Sequence, residues 1–212
     1  MFMKSFSQWT IEEVEEQFEL CQLRDSPLLA DWMADRSPLS PVIQSQLEHL
    51  QQKLLQRVYD WNEQELLVYF IGPLLTLVDF EHELFHPFME RELSVILDGE
   101  RLSGVVDFLV AQGHRSPKQP YFFLHEYKRE QDSSNDPLGQ LMIAMVTAQL
   151  LNNDDQPLYG AYVIGRYWHF VLLTGKTYAV HVGLNALKPE LTQIWAILTH
   201  TKTLIEQRLL HA

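Results

Sequence analysis

Apolar residues recur along this chain at two different periods, and the change falls near Phe85. Before it, spacings of three and four dominate. Leu47, Leu50, Leu54 and Val58 follow that rhythm and predict a helix from about Val42 to Tyr59. In "WNEQELLVYFIGPLLTLVDF", Leu66, Leu67, Phe70, Ile71, Leu74, Leu75 and Val78 form one wide apolar helical face. Asn62 is placed to cap that helix, and Pro73 to kink or divide it. Upstream, Thr10 and Glu13 have the spacing of a capping box. Cys21 falls in the helical segment that follows. Pro27, Pro38 and Pro41 punctuate an irregular stretch, and "DWMADR" within it reads as a surface turn.

After Phe85 the pattern becomes that of strands. "MERELSVILDGERLSGVVDFLVAQG" predicts two strands around an Asp98-Gly99 turn, and "QPYFFLHEYKRE" a third. A polar loop then leads into a helix from about Pro137 to Leu151, capped by Asn135 or Asp136. "LYGAYVIG" and "YWHFVLLTGKTYAVHV" read as further strands, the latter turning at Gly175. A last amphipathic helix is expected from about Asn185 to Leu210. This order predicts an α/β fold: a mixed central sheet flanked by helices, over residues 42–212, with residues 1–41 as an N-terminal helical and irregular extension.

Composition narrows the setting. The chain has 212 residues, enough for one well-buried core, and a single cysteine, which excludes an intrachain disulfide and a cysteine-rich zinc site. A soluble, cytoplasmic protein is expected. The longest apolar run, Leu66 to Val78, is too short to span a membrane and is broken at Gly72-Pro73. The formal net charge of −12 argues against tight, nonspecific wrapping of nucleic acid, although a local basic cleft remains compatible with it.

The third strand carries the chemistry. Side chains alternate along a strand, so Phe122, Leu124, Glu126 and Lys128 are expected on one face, and Phe123, His125 and Tyr127 on the other. The preceding strand holds Asp107 among Val105, Val106, Phe108 and Leu109, an expensive place for a carboxylate unless it is paired or bound to metal. With the two strands side by side, Asp107 and Glu126 would converge as oxygen ligands, suited to Mg²⁺ before Zn²⁺. The carbonyl of Tyr127 is a further candidate ligand. Lys128 would orient a water or stabilise a phosphoryl transition state. A strand-end salt bridge between Glu126 and Lys128, with Asp107 capping a turn, is the simpler alternative.

These residues resemble the PD-(D/E)xK nuclease superfamily, the restriction-endonuclease-like fold. Its usual core runs helix, three strands, helix, strand. Its motif is an Asp at the end of the second core strand and Glu-x-Lys on the third, here similar to Asp107 and Glu126-Tyr127-Lys128. The proline that often precedes the Asp is replaced by Val106. "NEQELLVYFIGPLL" is similar to the first helix of type I restriction-subunit N-terminal domains, which makes Glu63 the implied helix acid and a holder of metal or metal-bound water. Glu63 shares the apolar stripe of its helix, whereas Glu65 is out of phase and expected to face solvent. "YGAYVIGRYWHFVLL" resembles the later strands of those domains. Gln140, near the start of the next helix, matches a supporting Gln common in the superfamily; an ordinary helix-surface role is the alternative. The resemblance spans about Asn62 to Val182. It implies an Mg²⁺-dependent (or Mn²⁺-dependent) nuclease acting on nucleic acid, with DNA first, and is compatible with a homodimer. A noncatalytic interaction protein that keeps the fold is the alternative reading.

One other motif competes. His82-Glu83-Leu84-Phe85-His86 fits the His-Glu-x-x-His pattern of zinc metallopeptidases, which needs both His on one helix. Pro87 directly after His86 works against that, so a partly exposed connection between helix and strand is expected instead. Arg166, Tyr167, Trp168 and His169 could form an edge that contacts nucleic acid, but Trp and Tyr at alternating strand positions more often belong to the core.

Overall fold

The computed structural model describes residues 4–34, 38–97, 99–131 and 136–210. They form a mixed α/β structure built on one eight-stranded sheet. In chain order the elements are α1 (Ile11–Phe18), β1 (Cys21–Gln22), α2 (Pro27–Met33), α3 (Pro41–Arg57), α4 (Glu63–Leu66), a π-helical turn (Leu67–Ile71) and α5 (Gly72–Val78). Then come β2 (His86–Leu97), β3 (Glu100–Gln112), β4 (Lys118–Lys128), α6 (Pro137–Asn152), β5 (Leu158–Ile164), β6 (Tyr167–Thr174), β7 (Thr177–Val180), β8 (Leu184–Asn185) and α7 (Glu190–Leu210). The strands lie in the order β1-β7-β6-β5-β4-β3-β2, with β8 paired to β6.

The hairpins β2–β3 and β3–β4 are antiparallel, but β4 and β5 run parallel. A parallel neighbour cannot be reached by a tight turn, so α6 makes the crossover. It packs on one face of the sheet beside Trp9, Val14 and Phe6. Its apolar residues run almost continuously from Leu138 to Leu151, because the sheet covers one side and α1 the other. The opposite face of the sheet is covered by α2, α3, α5 and α7, around Leu54, Phe70, Leu74 and Ile197.

The described residues of the N-terminal segment are tied into this body. Asp136 receives the N–H of Gly139 at 3.0 Å and that of Ile11 at 2.7 Å, so one carboxylate caps two helix N-termini. A Cβ at Gly139 would sit within 2.6 Å of the Thr10–Ile11 backbone, so only glycine permits this approach. Removing the carboxylate should cost about 2 kcal/mol, roughly 1 for each cap. Urea unfolding of Asp136→Ala checks this; a loss confined to one helix would leave it nearer 1. The alternative cap, Asn135, lies outside the described residues, as does Asp98 of the expected hairpin turn. Gly99, the other half of that turn, has φ of 81°.

Several local expectations are corrected. Cys21 is in a strand, because Glu19 ends α1 in a left-handed conformation and the Cys21 N–H then bonds the Lys176 carbonyl. Asp31, Trp32 and Met33 belong to α2, and Trp32 is buried, donating its indole N–H to Thr201. Glu65 does not simply face solvent: its carboxylate reaches back to the Asn62 N–H and completes a capping box. The last helix starts at Glu190 rather than Asn185, because Pro189 excludes a helical residue before it and Leu184–Asn185 pair with β6.

Candidate active site at the fork between β3 and β4

Pro73 shapes the helix that carries Glu63. It has no N–H for the carbonyl one turn back, and the strain is taken up by a π turn in which the Gly72 N–H reaches the Leu67 carbonyl. The helix therefore continues through Gly72–Val78, with Glu63 in its first turn directly after the Asn62 cap.

The strands provide the rest. The β3–β4 ladder ends at the pair Phe108↔His125. One residue further, Asp107 faces Glu126, and here the strands part. The Tyr127 N–H donates to Asp107 Oδ2 at 3.1 Å in place of a ladder bond. Across the other edge of β3, Glu90 lies between the pairs Met89↔Phe108 and Arg91↔Val106, with φ of 49°. A non-glycine residue there costs on the order of 1–3 kcal/mol. The twist it marks shifts the alternation of β3: Val106 and Leu109 both pack on the α6 side, whereas Phe108 and Val110 pack opposite. Asp107 occupies the slip and turns into the fork.

Phase along β4 also differs from strict alternation. The register jumps from Val110↔Phe123 to Ala111↔Tyr121, so Phe122 is the extra residue of a bulge. It packs with Phe123 in the cluster opposite α6, not with Leu124. Beyond the bulge His125 is fully buried on Trp168, away from the charged residues, with ring centroids 5.1 Å apart. Burial lowers the His125 pKa to about 3, so the ring is neutral.

Four ionisable groups meet at the fork. Lys128 Nζ lies 2.7 Å from Glu126 Oε1 and 3.7 Å from Glu63 Oε1. Glu126 is 3% exposed and Lys128 7% exposed, while Asp107 is half-buried. Burial, and then the Asp107 charge, push Glu126 up to about 8, with Lys128 opposing the rise. Burial also raises Asp107, against the Tyr127 N–H and the Lys128 charge. For Lys128, burial acts downward, but Glu126, Glu63 and Asp107 together hold it above its ordinary value and charged. Three carboxyl groups thus share one ammonium. Such a site gains from a further positive charge, because a bound cation relieves the burial cost of both inner carboxylates.

The donor set fits a hard divalent ion. Asp107 and Glu126 offer carboxylate oxygens, and Tyr127, whose N–H already bonds Asp107, would add its carbonyl. Among the described residues no three His, Cys, Asp or Glu side chains converge into a ready-made cage. Two carboxylates plus retained water is the usual arrangement for Mg²⁺, whereas a structural zinc site closes on four protein ligands. Glu63, with its side chain 42% exposed, faces Lys128 from the helix side of the fork.

Gln140 is not bonded to this group among the described residues. It is buried rather than on the helix surface, and its amide oxygen has no partner among the described residues. No hydrogen bond joins it to Asp107, Glu126 or Lys128 among those residues. Glu90 is the neighbour that periodicity could not reveal, since a left-handed residue inside a strand leaves no mark on the apolar pattern.

The His82–His86 motif is not helical. The His82 N–H bonds the Phe85 carbonyl in a turn, and His86 opens β2 with Nδ1 2.7 Å from Glu81. The helical turn that would bring both His to one zinc is not formed. Purified protein is accordingly expected to carry no stoichiometric zinc that depends on His82; elemental analysis of wild type and His82→Ala checks this.

No family model matches the chain, and no curated protein is significantly similar to it.

Proposed function

We propose that this protein is a metal-dependent nuclease that hydrolyses phosphodiester bonds of nucleic acid, with DNA as the expected substrate. The observation that carries the reading is the convergence of Asp107, Glu126, Lys128 and Glu63 at the point where β3 and β4 part. A paired carboxylate site with a lysine is what this chemistry requires: negative charge to hold a cation, and a fixed positive charge for the phosphate. The element order of helix, three strands, crossover helix and strand also supports a restriction-endonuclease-like fold.

In this reading Asp107 and Glu126 would hold Mg²⁺ or Mn²⁺, with the Tyr127 carbonyl as a further oxygen. When bound, the ion supplies Lewis acidity at the phosphoryl oxygen and lowers the pKa of a coordinated water. Lys128 stays protonated and would face the charge that develops on the non-bridging oxygens as water adds to phosphorus, its proton passing to bulk water, and the bond to the leaving oxygen breaks, that oxygen taking a proton from bulk water. Glu126 fixes the lysine by its 2.7 Å contact, and Glu63 limits its swing from the other side. Gln140 is the supporting residue of this scheme, its amide oxygen, without a partner among the described residues, able to accept from a bound water.

The test is cleavage of single-stranded and duplex DNA and RNA with Mg²⁺ or Mn²⁺, comparing wild type with Lys128→Ala and Asp107→Ala. One observation favours a second reading, a noncatalytic interaction protein: Lys128 is already engaged by Glu126 within the chain, and the net charge is −12. A thermal shift with Mg²⁺ separates the two. Under the nuclease reading the ion raises the melting temperature of the wild type and not of Asp107→Ala; no shift in the wild type supports the alternative.

A further inference from the structure

Beside the fork, the turn between β5 and β6 carries an unusual surface. Lys128 pairs with Ile164 across the parallel ladder, and its carbonyl accepts the Gly165 N–H at 2.9 Å. Arg166 follows directly, in the two-residue turn that joins the paired residues Ile164 and Tyr167. Its guanidinium is held from three directions. It donates to the Tyr59 hydroxyl at 2.7 Å, its Nε is 3.2 Å from Glu130, and its carbon lies 5.4 Å and 5.0 Å from the ring centres of Tyr59 and Tyr167. The Arg166 N–H itself donates to Glu130 at 3.0 Å. Tyr59 is four residues before Glu63 in the chain, and the Arg166 turn is bonded to Lys128 through Gly165, so the cluster is linked to the segments that carry both residues.

The two rings are exposed, Tyr59 by 58% and Tyr167 by 39%, while Trp168, the next residue, is fully buried. The arginine is not a free phosphate clamp, because Glu130 offsets its charge. It bridges the two tyrosine rings, bonded to the Tyr59 hydroxyl and lying over both. Aromatic faces held rigidly beside a phosphodiester site suit unstacked bases, whose π-faces they can cover whatever the sequence. A duplex keeps its bases stacked inside and offers mainly phosphates. Its binding depends on many cations, and this chain has 16 basic against 28 acidic residues.

We infer that Tyr59, Arg166 and Tyr167 form a base-stacking platform, and that the substrate is single-stranded nucleic acid, or an unpaired end or flap, rather than continuous duplex. This inference rests on the nuclease reading and specifies its substrate.

Fluorescence anisotropy with a labelled oligothymidylate of about 12 nucleotides and a duplex of the same length tests it. The single strand should bind more tightly. Its affinity should fall with salt at a log–log slope no steeper than about −2, since few cations take part. Tyr167→Ala should weaken single-strand binding about tenfold, and Tyr167→Phe, which keeps the ring, should restore it. The Mg²⁺ thermal shift should be the same in all three proteins, which shows that the fork is intact. Tighter binding of duplex, or equal single-strand affinity in wild type and Tyr167→Ala, would overturn the platform even if Mg²⁺-dependent cleavage is found. Ring-dependent single-strand binding without cleavage would instead uphold the platform and reject the nuclease reading.

Discussion

Lys128→Ala is expected to reduce Mg²⁺-dependent cleavage roughly a thousandfold, the upper range for removal of one preorganised group that stabilises transition-state charge. The lysine is 7% exposed and in contact with Glu126, so water cannot readily take its place. Truncation also leaves Glu126 buried without its ammonium, and the carboxyl answers by holding its proton more firmly. Lys128→Met, which keeps the aliphatic stem and its packing, should fold as well as wild type and lose as much activity. Asp107→Ala should be at least as severe, because it removes a ligand and the acceptor of the Tyr127 N–H together. The double variant should lose little more than either single one, since the residues act as a unit. Glu92→Ala, which breaks an exposed pair with Arg101 on the β2–β3 hairpin, serves as a control and should leave the rate unchanged. Initial rates on one labelled oligonucleotide settle the matter. Equal residual cleavage in wild type, Lys128→Ala and Asp107→Ala would sink the assignment and point to a contaminating enzyme.

Much of this site could be read from residue order, because short-range rules governed it. Strand phase put Glu126 and Lys128 together, and hairpin logic put Asp107 on the neighbouring strand. The Asn62 cap and the apolar stripe fixed the helix of Glu63. What could not be read had tertiary causes. The bulge at Phe122 and the left-handed Glu90 change which way side chains point without altering the pattern of apolar letters. The placement of Cys21 in β1 depends on a β7 partner more than 150 residues away, which no local propensity encodes. Trp32 looked exposed among acidic neighbours, yet α7 supplies Thr201 for its indole N–H. Arg166 was legible as chemistry but not as geometry: its link to Tyr59 joins elements that periodicity treats separately. Among the described residues, no helix is long and apolar enough to cross a membrane, as the broken run at Gly72-Pro73 implied.

Affinity for Mg²⁺ should rise steeply with pH between about 6 and 8, with an expected change of roughly a hundredfold. The reason lies in the metal-free fork. Glu126 is pushed up to about 8 by burial and by Asp107, so below that pH the folded protein carries a proton there. A divalent ion must displace the proton, and each pH unit below the carboxyl's pKa costs about a factor of ten in affinity. Above about 8 the dependence should flatten, since the carboxylate is then already ionised. The same shift sets the stability of the metal-free protein. A carboxyl whose folded pKa lies above its unfolded value binds its proton more tightly when folded. Its contribution is therefore complete below the unfolded value of 4.5 and is lost as pH rises through about 8. Metal-free protein should melt at lower temperature at pH 8.5 than at pH 6, and saturating Mg²⁺ should narrow or reverse that difference. Glu126→Gln removes the titrating group while keeping shape and hydrogen-bonding capacity. It should flatten the metal-free profile over this range and abolish most of the Mg²⁺ shift. Thermal melts of both proteins from pH 6 to 8.5, with and without Mg²⁺, make the measurement. An Mg²⁺ affinity in the wild type that is flat over this range would mean that Glu126 is already ionised in the metal-free fork, with Lys128 prevailing over burial and Asp107.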